Sequence, residues 1–330
     1  MQRAIEDTFK VLESGQAQVL LQDVDDVRAW MRDNKSRALV DKRMTEQEAV
    51  SRFVHDGAYL SYDLSSMVRG LASLEREVVR QGIRDLWVAA KFTLLDTTIL
   101  VAGGCVSKID VGFAGLGRTL FKAIEQGRVQ IFDWSNGTLA LRHLAGAMGV
   151  PFLPTRSLGG TDTFKHSGAK LIEEPFTGKR VVLVPAVNPD VAIIHVNQAD
   201  IYGNARIFGP SITPVETAMA SKRVVLSTEE IIETEQIRRS PNRTTIPYFL
   251  VDAVVLAPYG AHPGTCPGLY AYDAEHLDEF FAATTDEAMQ VYLDKYVYGV
   301  ASHQEYLEVI GIEKLLSLRE AERIREGYYV

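Results

Sequence analysis

Residues 185–209 read PAVNPDVAIIHVNQADIYGNARIFG, and this stretch decides the fold. Val191 to Val196 is an apolar run interrupted only by His195, without the strict alternation of a half-exposed strand. Such a run fits a strand buried on both faces of a sheet. The spacing predicts that the strand ends in His195, that a turn follows over Ala199–Asn204, and that a second short strand comes next. Similar runs recur at Val181–Val184, Val224–Leu226 and Val251–Leu256.

Working outward, strands alternate with helices. Thr45-x-x-Glu48 is a capping box for a helix running to about His55. Ala58–Tyr62 reads as a strand, and Ser65 or Ser66 caps a helix that stops at Gly82. Leu86–Ala90 is a strand, Thr97–Ala102 a helix and Val106–Phe113 a strand. Arg118–Gln126 is a helix stopped by Gly127, and Val129–Phe132 a strand. Gly137–Met148 is a helix stopped by Gly149, with Pro151 and Pro154 barring its continuation. This order implies an α/β fold with a mostly parallel open sheet and flanking helices. Residues 1–44 read as a helical extension, with amphipathic helices at Ile5–Leu12 and Val24–Asp33. Residues 45–330 form the main domain, and its last 60 residues read as surface helices.

Composition narrows the function. A net charge of −8 without a basic tract argues against nucleic acid as a partner. Cys105 and Cys266 are the only cysteines and form no C-x-x-C pair, which suits a reducing cytoplasm and gives no expectation of a metal site. The amino terminus carries charges where a signal peptide needs an apolar core. No run approaches the roughly 18 apolar residues of a spanning helix. Neither a phosphate-binding P-loop nor a dinucleotide fingerprint occurs.

In open α/β sheets, ligands bind beyond the carboxyl ends of the strands. Four loops fall there. Ser61–Arg69 (SYDLSSMVR) opens a helix, where Ser65 and Ser66 either cap it or hold a thioester oxygen with the free N–H groups. Arg69 either faces a carboxylate or is simply exposed. In Ala89–Thr98, Lys91 is a solvated loop lysine or a contact for a substrate carboxylate or phosphate. In Asp133–Gly137, Ser135 and Asn136 either cap the helix or position a carbonyl, and an amide cannot act as a base. Ser157–Lys170 has two glycine pairs, and Lys165 and His166 either contact phosphates or form an ordinary surface loop. His195 is a hydrogen-bonded structural histidine or a general base. Cys266 has His262 four residues before it but no third partner, so it carries no cysteine-hydrolase signature.

The 185–209 block and Val251–Asp273 (VDAVVLAPYGAHPGTCPGLYAYD) closely resemble the α subunits of glutaconate-type family I CoA-transferases. Pro151–Pro154 and Ser227–Arg239 extend the resemblance, which covers roughly residues 45–320. It implies a NagB/RpiA-like α/β fold and a heteromer, often α2β2, with a β subunit of similar fold. In that family a β-subunit glutamate attacks acyl-CoA and passes through an anhydride to a glutamyl-CoA thioester, and CoA then moves to the acceptor acid. The α subunit supplies pocket walls and oxyanion donors and is active only with its partner. Coenzyme A enters as substrate, with no cofactor held permanently. The family's glycine-rich loops are absent from SYDLSSMVR and AAKFTLLD, which keeps a ring-opening hydrolase or a decarboxylase on the same scaffold as the alternative. A non-catalytic sugar-phosphate-binding protein on this fold is a third reading. By alignment, Asn136 falls where the glutaconate-type α subunits carry an amide.

Overall fold

The computed structural model of the chain describes residues 10–64, 67–115 and 118–323. It begins with strand β1 (Val11–Ser14) and helix α1 (Val24–Asn34). There follow α2 (Glu46–Phe53), β2 (Tyr59–Asp63), α3 (Ala72–Arg80), β3 (Leu86–Thr93), α4 (Leu95–Ala102) and β4 (Val106–Ala114). Next come α5 (Arg118–Glu125), β5 (Gln130–Asp133) and α6 (Asn136–Met148). An excursion consists of β6 (Phe152–Thr155), the single turn α7 (Asp162–Lys165), β7 (Lys170–Glu173) and β8 (Arg180–Pro185). The chain returns through β9 (Val191–Ala199), β10 (Ala205–Arg206), α8 (Pro214–Ala220), β11 (Arg223–Ile231), α9 (Thr234–Arg239) and β12 (Ala253–Leu256). Helices α10 (Ala274–Ala282), α11 (Asp286–Leu293), α12 (His303–Ile310) and α13 (Ile312–Glu322) complete it.

The main sheet has the order β12-β11-β9-β2-β3-β4-β5, and every neighbouring pair along it is parallel. Only β10 is antiparallel, against the end of β9. The mostly parallel open sheet is as expected, and two kinds of face cover it. Leu60, Tyr62, Val88, Ala90, Ile109 and Val111 point into an apolar core shared with α2 to α5 and the carboxyl-terminal helices. The alternate residues Tyr59, Ser61, Lys91 and Asp110 point towards α6 and α8, so this second interface buries polar groups. Each must then find an internal partner, because an unpaired buried polar group is costly.

Local chemistry places the helices. The Thr45–Glu48 capping box is formed in both directions at the start of α2. Ser135 and Thr138 make a second box at the start of α6. Gly149 ends α6 in the left-handed region, at φ 68, where a side chain would be strained.

Four elements differ from the sequence reading. Val181–Val184 lies in β8, whose burial alternates, inside a separate antiparallel sheet of order β1-β7-β8-β6. A short apolar run carries no period that distinguishes the two settings. The expected helix at Ile5–Leu12 falls mostly outside the described residues, and its described end belongs to β1, which pairs with β7. Strand β9 does not end at His195 but runs to Ala199. Helix α3 begins at Ala72, so its cap is neither Ser65 nor Ser66, both outside the described residues. The Asp96 carboxylate accepts from Leu71 N–H there instead, at 3.1 Å.

Candidate active site

The carboxyl ends of β9, β2, β3, β4 and β5 lie side by side, and the predicted site residues on described elements gather along them. At the centre, Asp63 closes β2 with no exposed surface. Its Oδ1 accepts from Thr213 N–H at 2.8 Å and lies 3.7 Å from Lys91 Nζ. Its Oδ2 lies 3.4 Å from Arg69 Nη2. Arg69 also donates to His195 O at 3.2 Å and Pro210 O at 3.1 Å. Lys91 donates to Thr217 Oγ1 at 3.3 Å. Burial pushes the Lys91 ammonium pKa down, and the Asp63 charge opposes that shift. Lys91 and Arg69 are thus internal ion-pair partners, not a solvated loop lysine and an exposed arginine. Removing the shared Asp63 would strand two buried cations, which typically costs about 3–5 kcal/mol.

Beside this triad, Ser61 Oγ lies 2.7 Å from His143 Nε2, and His143 Nδ1 lies 2.8 Å from Leu139 O. Burial, and then the nearby Lys91, hold the imidazole pKa well below its usual value. The ring is neutral, donates from Nδ1 to the carbonyl and accepts the serine proton at Nε2. Both side chains are fully buried, so the pair is no accessible nucleophile and base.

Asn136 stands at the first position of α6. Ser135 Oγ caps the helix by accepting from Thr138 N–H at 3.1 Å, which relieves Asn136 of that work. Asn136 Oδ1 is buried with no hydrogen-bond partner. A Cβ built on Gly112 would lie 2.2 Å from that oxygen and 2.6 Å from Lys91 O. The bare glycine therefore lets the carboxamide sit against β4 beside Lys91. A buried carboxamide oxygen without a partner is uncommon in a folded protein.

Lys165 and His166 are exposed, and Lys165 pairs with Asp162 at 3.0 Å. Asp133 N–H donates to His166 O at 3.0 Å, which brings this segment to the end of β5, next to Ser135.

On the other flank, His195 is fully buried within β9. Its Nδ1 is 2.8 Å from Ser227 Oγ and its Nε2 is 2.8 Å from Glu229 Oε1. Tyr270 O–H donates to the same carboxylate oxygen, and Tyr259 N–H donates to Glu229 Oε2 at 2.7 Å. Glu229 lines a cavity of about 480 Å³ with Asn197, Tyr259, Pro267, Tyr270 and Arg319. A larger cavity, about 850 Å³, lies between α1 and the amino ends of the strands. The carboxyl edge is the place for ligands in such a sheet, so size does not decide here.

Ser227, Glu229, Tyr270, Asp63, Ser61 and His143 were missed by sequence reasoning. The signal for Ser227 and Glu229 was present, since STEE directly follows the apolar run Val224–Leu226. Two groups among the described residues bring ligand atoms within 4.8 Å of one another, His195 with Glu229 and Cys266, and His262 with Asp273 and His276. In the first, Glu229 accepts from Tyr270 and Tyr259 and Asn197 donates to Cys266, while in the second His262 faces Tyr306 and His276 faces Tyr292. No helix among the described residues is long and apolar enough to cross a membrane.

The sequence from residue 43 to residue 257 matches the family described as Coenzyme A transferase. The chain is 33% identical to the A subunit of glutaconate CoA-transferase from Acidaminococcus fermentans over 313 residues, covering 88% of this chain and 97% of that one. The crystal structure of that enzyme superposes with a TM-score of 0.81 at 32% identity, covering 87% of this chain and 96% of that one. An uncharacterized protein of Archaeoglobus fulgidus is 48% identical over 313 residues, covering 92% of this chain and 70% of that one. The structure of a cysteine-to-serine variant of the decarboxylase AibA/AibB superposes with a TM-score of 0.67 at 31% identity, covering 76% of this chain and 98% of that chain.

Proposed function

Because this chain belongs to the Coenzyme A transferase family, we propose that it is the α subunit of a heteromeric family I CoA-transferase. The enzyme moves CoA between an acyl-CoA and a carboxylic or dicarboxylic acid. The covalent glutamate belongs to a β subunit of similar fold, in an α2β2 assembly working in the cytoplasm. The observation that carries this reading is the match to the glutaconate CoA-transferase chain along nearly its whole length. The described interior agrees, because its histidine-paired serines, Ser61 and Ser227, have no exposed surface, and Cys105 and Cys266 are buried.

In this reading the carboxyl edge holds the thioester while the partner's carboxylate attacks. Negative charge then develops on the thioester oxygen. Asn136, the free N–H groups at the start of α6 beside Ser135, and the loop bearing Ser65 and Ser66 supply donors to it. Asn136 works through its amide N–H, since its Oδ1 is the atom buried against Gly112 and only the nitrogen can donate. Arg69 and Lys91 fix the floor of the site through Asp63, and the buried imidazole of His195 shapes its flank. Lys165 and His166 offer exposed cationic and polar groups for the phosphates of CoA. Coenzyme A comes and goes as substrate.

A second reading is a decarboxylase or hydrolase acting on a CoA thioester, favoured by the likeness to AibA/AibB. Hydrolysis needs a base for water, and an amide at position 136 cannot serve as one. Co-expression with the β subunit tests the assignment: a stable heteromer with acyl-CoA activity, and none for the isolated chain, is expected. An isolated chain that turns over acyl-CoA would overturn it.

A further inference from the structure

Glu229 lies on β11, yet its carboxylate bonds reach three other places. Oε1 faces His195 Nε2 on β9 and the Tyr270 hydroxyl, and Oε2 takes Tyr259 N–H. His195 is itself fixed from behind by Ser227 Oγ. Three donors thus meet its two oxygens in a side chain only 6% exposed. That makes it a strong clamp, because charge-assisted bonds are the stronger kind.

What it clamps is the segment 259–270. Tyr259 adopts φ 56, a left-handed conformation unusual for a bulky residue, so something must hold it. Its ring packs on Tyr270 with centroids 4.7 Å apart, and the Tyr270 hydroxyl accepts from Ala261 N–H at 3.1 Å. Further along, Thr265 forms a parallel bridge with Val68. Arg69 N–H donates to Thr265 O at 2.8 Å, and Thr265 N–H donates to Met67 O at 2.9 Å. A Cβ on Gly264 would lie 2.4 Å from Met67 O, so the two backbones touch. The same loop is tied back to β9 by Arg69 Nη1, which donates to His195 O. A closed circuit results, from Glu229 through 259–270 to Met67–Arg69 and back to His195.

We propose that Glu229 is a positioning residue: through the 259–270 segment it sets the Met67–Arg69 loop, and so the site that the loop lines. This rests on the proposed function, in which this loop stands beside the thioester. The test is Glu229→Gln in the heteromer with its β subunit, with Tyr270→Phe as the milder variant should the first not fold. Hydrogen exchange and steady-state kinetics are read together. For Glu229→Gln we expect faster exchange confined to 64–71 and 257–270, and kcat lower by roughly tenfold with KM for acyl-CoA within about twofold. Tyr270→Phe should move both in the same direction by less. Unchanged exchange in those two segments would overturn the clamp. Faster exchange there with an unchanged kcat would leave the clamp standing, but would overturn its link to catalysis and with it the placing of this loop at the thioester. A lower melting temperature with exchange raised across the chain and normal kcat would make Glu229 a general stability element, against the proposal.

Discussion

Gly112 and Asn136 meet across the end of β4, so closely that a Cβ on residue 112 would lie 2.2 Å from Asn136 Oδ1. The helix cap next door belongs to Ser135, so the two neighbours divide the labour and can be separated. Asn136→Ala should lower turnover in the heteromer by at least about tenfold, short of the roughly 100- to 1,000-fold typical of a lost donor because backbone donors remain, and shift the melting temperature by only a few degrees. Ser135→Ala should do the reverse, costing about 1 kcal/mol of stability with near-normal turnover. Calorimetry and initial rates on both variants check this, and an Asn136→Ala protein that melts early with full activity would contradict it.

Gly112→Ala probes the same contact from the other side. The new methyl group conflicts with Asn136 Oδ1 and with Lys91 O, which is backbone and cannot turn aside. The amide must move, and the expected result is a turnover loss similar to that of Asn136→Ala. Wild-type kinetics in a folded Gly112→Ala heteromer would show that the position of the amide is immaterial.

Much of this arrangement was legible in the sequence, and the remainder failed for identifiable reasons. The alternation of strands and helices follows from apolar runs separated by helical segments, and Thr45, Glu48, Gly127 and Gly149 mark element ends by their own chemistry. The ion triad of Asp63, Arg69 and Lys91 was hidden because Asp63 and Lys91 meet only through the side-by-side pairing of β2 and β3. A lone lysine on a linear sequence gives no sign of such a partner. Likewise β1 and β7 come together only in space, and β8 has the same composition as a core strand of the main sheet.

The carboxyl-terminal helices bring a pH dependence. His303 is buried, with Nε2 2.7 Å from Pro258 O and Nδ1 3.1 Å from Arg76 Nη2, and burial followed by the Arg76 charge pushes its pKa down to about 3. The folded state thus holds this ring neutral, while the unfolded ring titrates near 6.5. Its contribution to stability is complete above about pH 6.5 and is lost as the pH falls towards 3, at up to about 1.4 kcal/mol per pH unit. His195, His262 and Tyr306 also neighbour the ring, and Glu46 accepts from the His303 backbone N–H, so the clean readout is a difference between proteins. Urea unfolding from pH 7 to 5 should show His303→Gln less stable at pH 7, with a pH slope shallower by about one proton. Parallel slopes would contradict the buried neutral state.

Asp96 acts in the opposite sense. Burial raises its carboxyl pKa to about 6 against an ordinary 3.8, and it sits by the fully buried Glu75. Its folded pKa lies above the unfolded one, so stability is given up as the pH rises from about 4 to 6, and the deficit is complete above that. Asp96→Asn keeps an oxygen for Leu71 N–H. It should therefore stabilise the protein above pH 6 by up to about 3 kcal/mol, and by little near pH 4. Equal effects at both pH values would rule out the raised pKa as the cause.

The central claim is that this chain works as the non-nucleophilic half of a CoA-transferase. The most direct measurement is to incubate the purified heteromer with acyl-CoA, reduce it with borohydride and map both chains by mass spectrometry, following label exchange between acyl-CoA and free acid in parallel. The account predicts a reduced glutamyl thioester on the β subunit, none on this chain, and exchange with ping-pong kinetics. Release of free CoA or CO2 without exchange, or a modified glutamate on this chain, would contradict it.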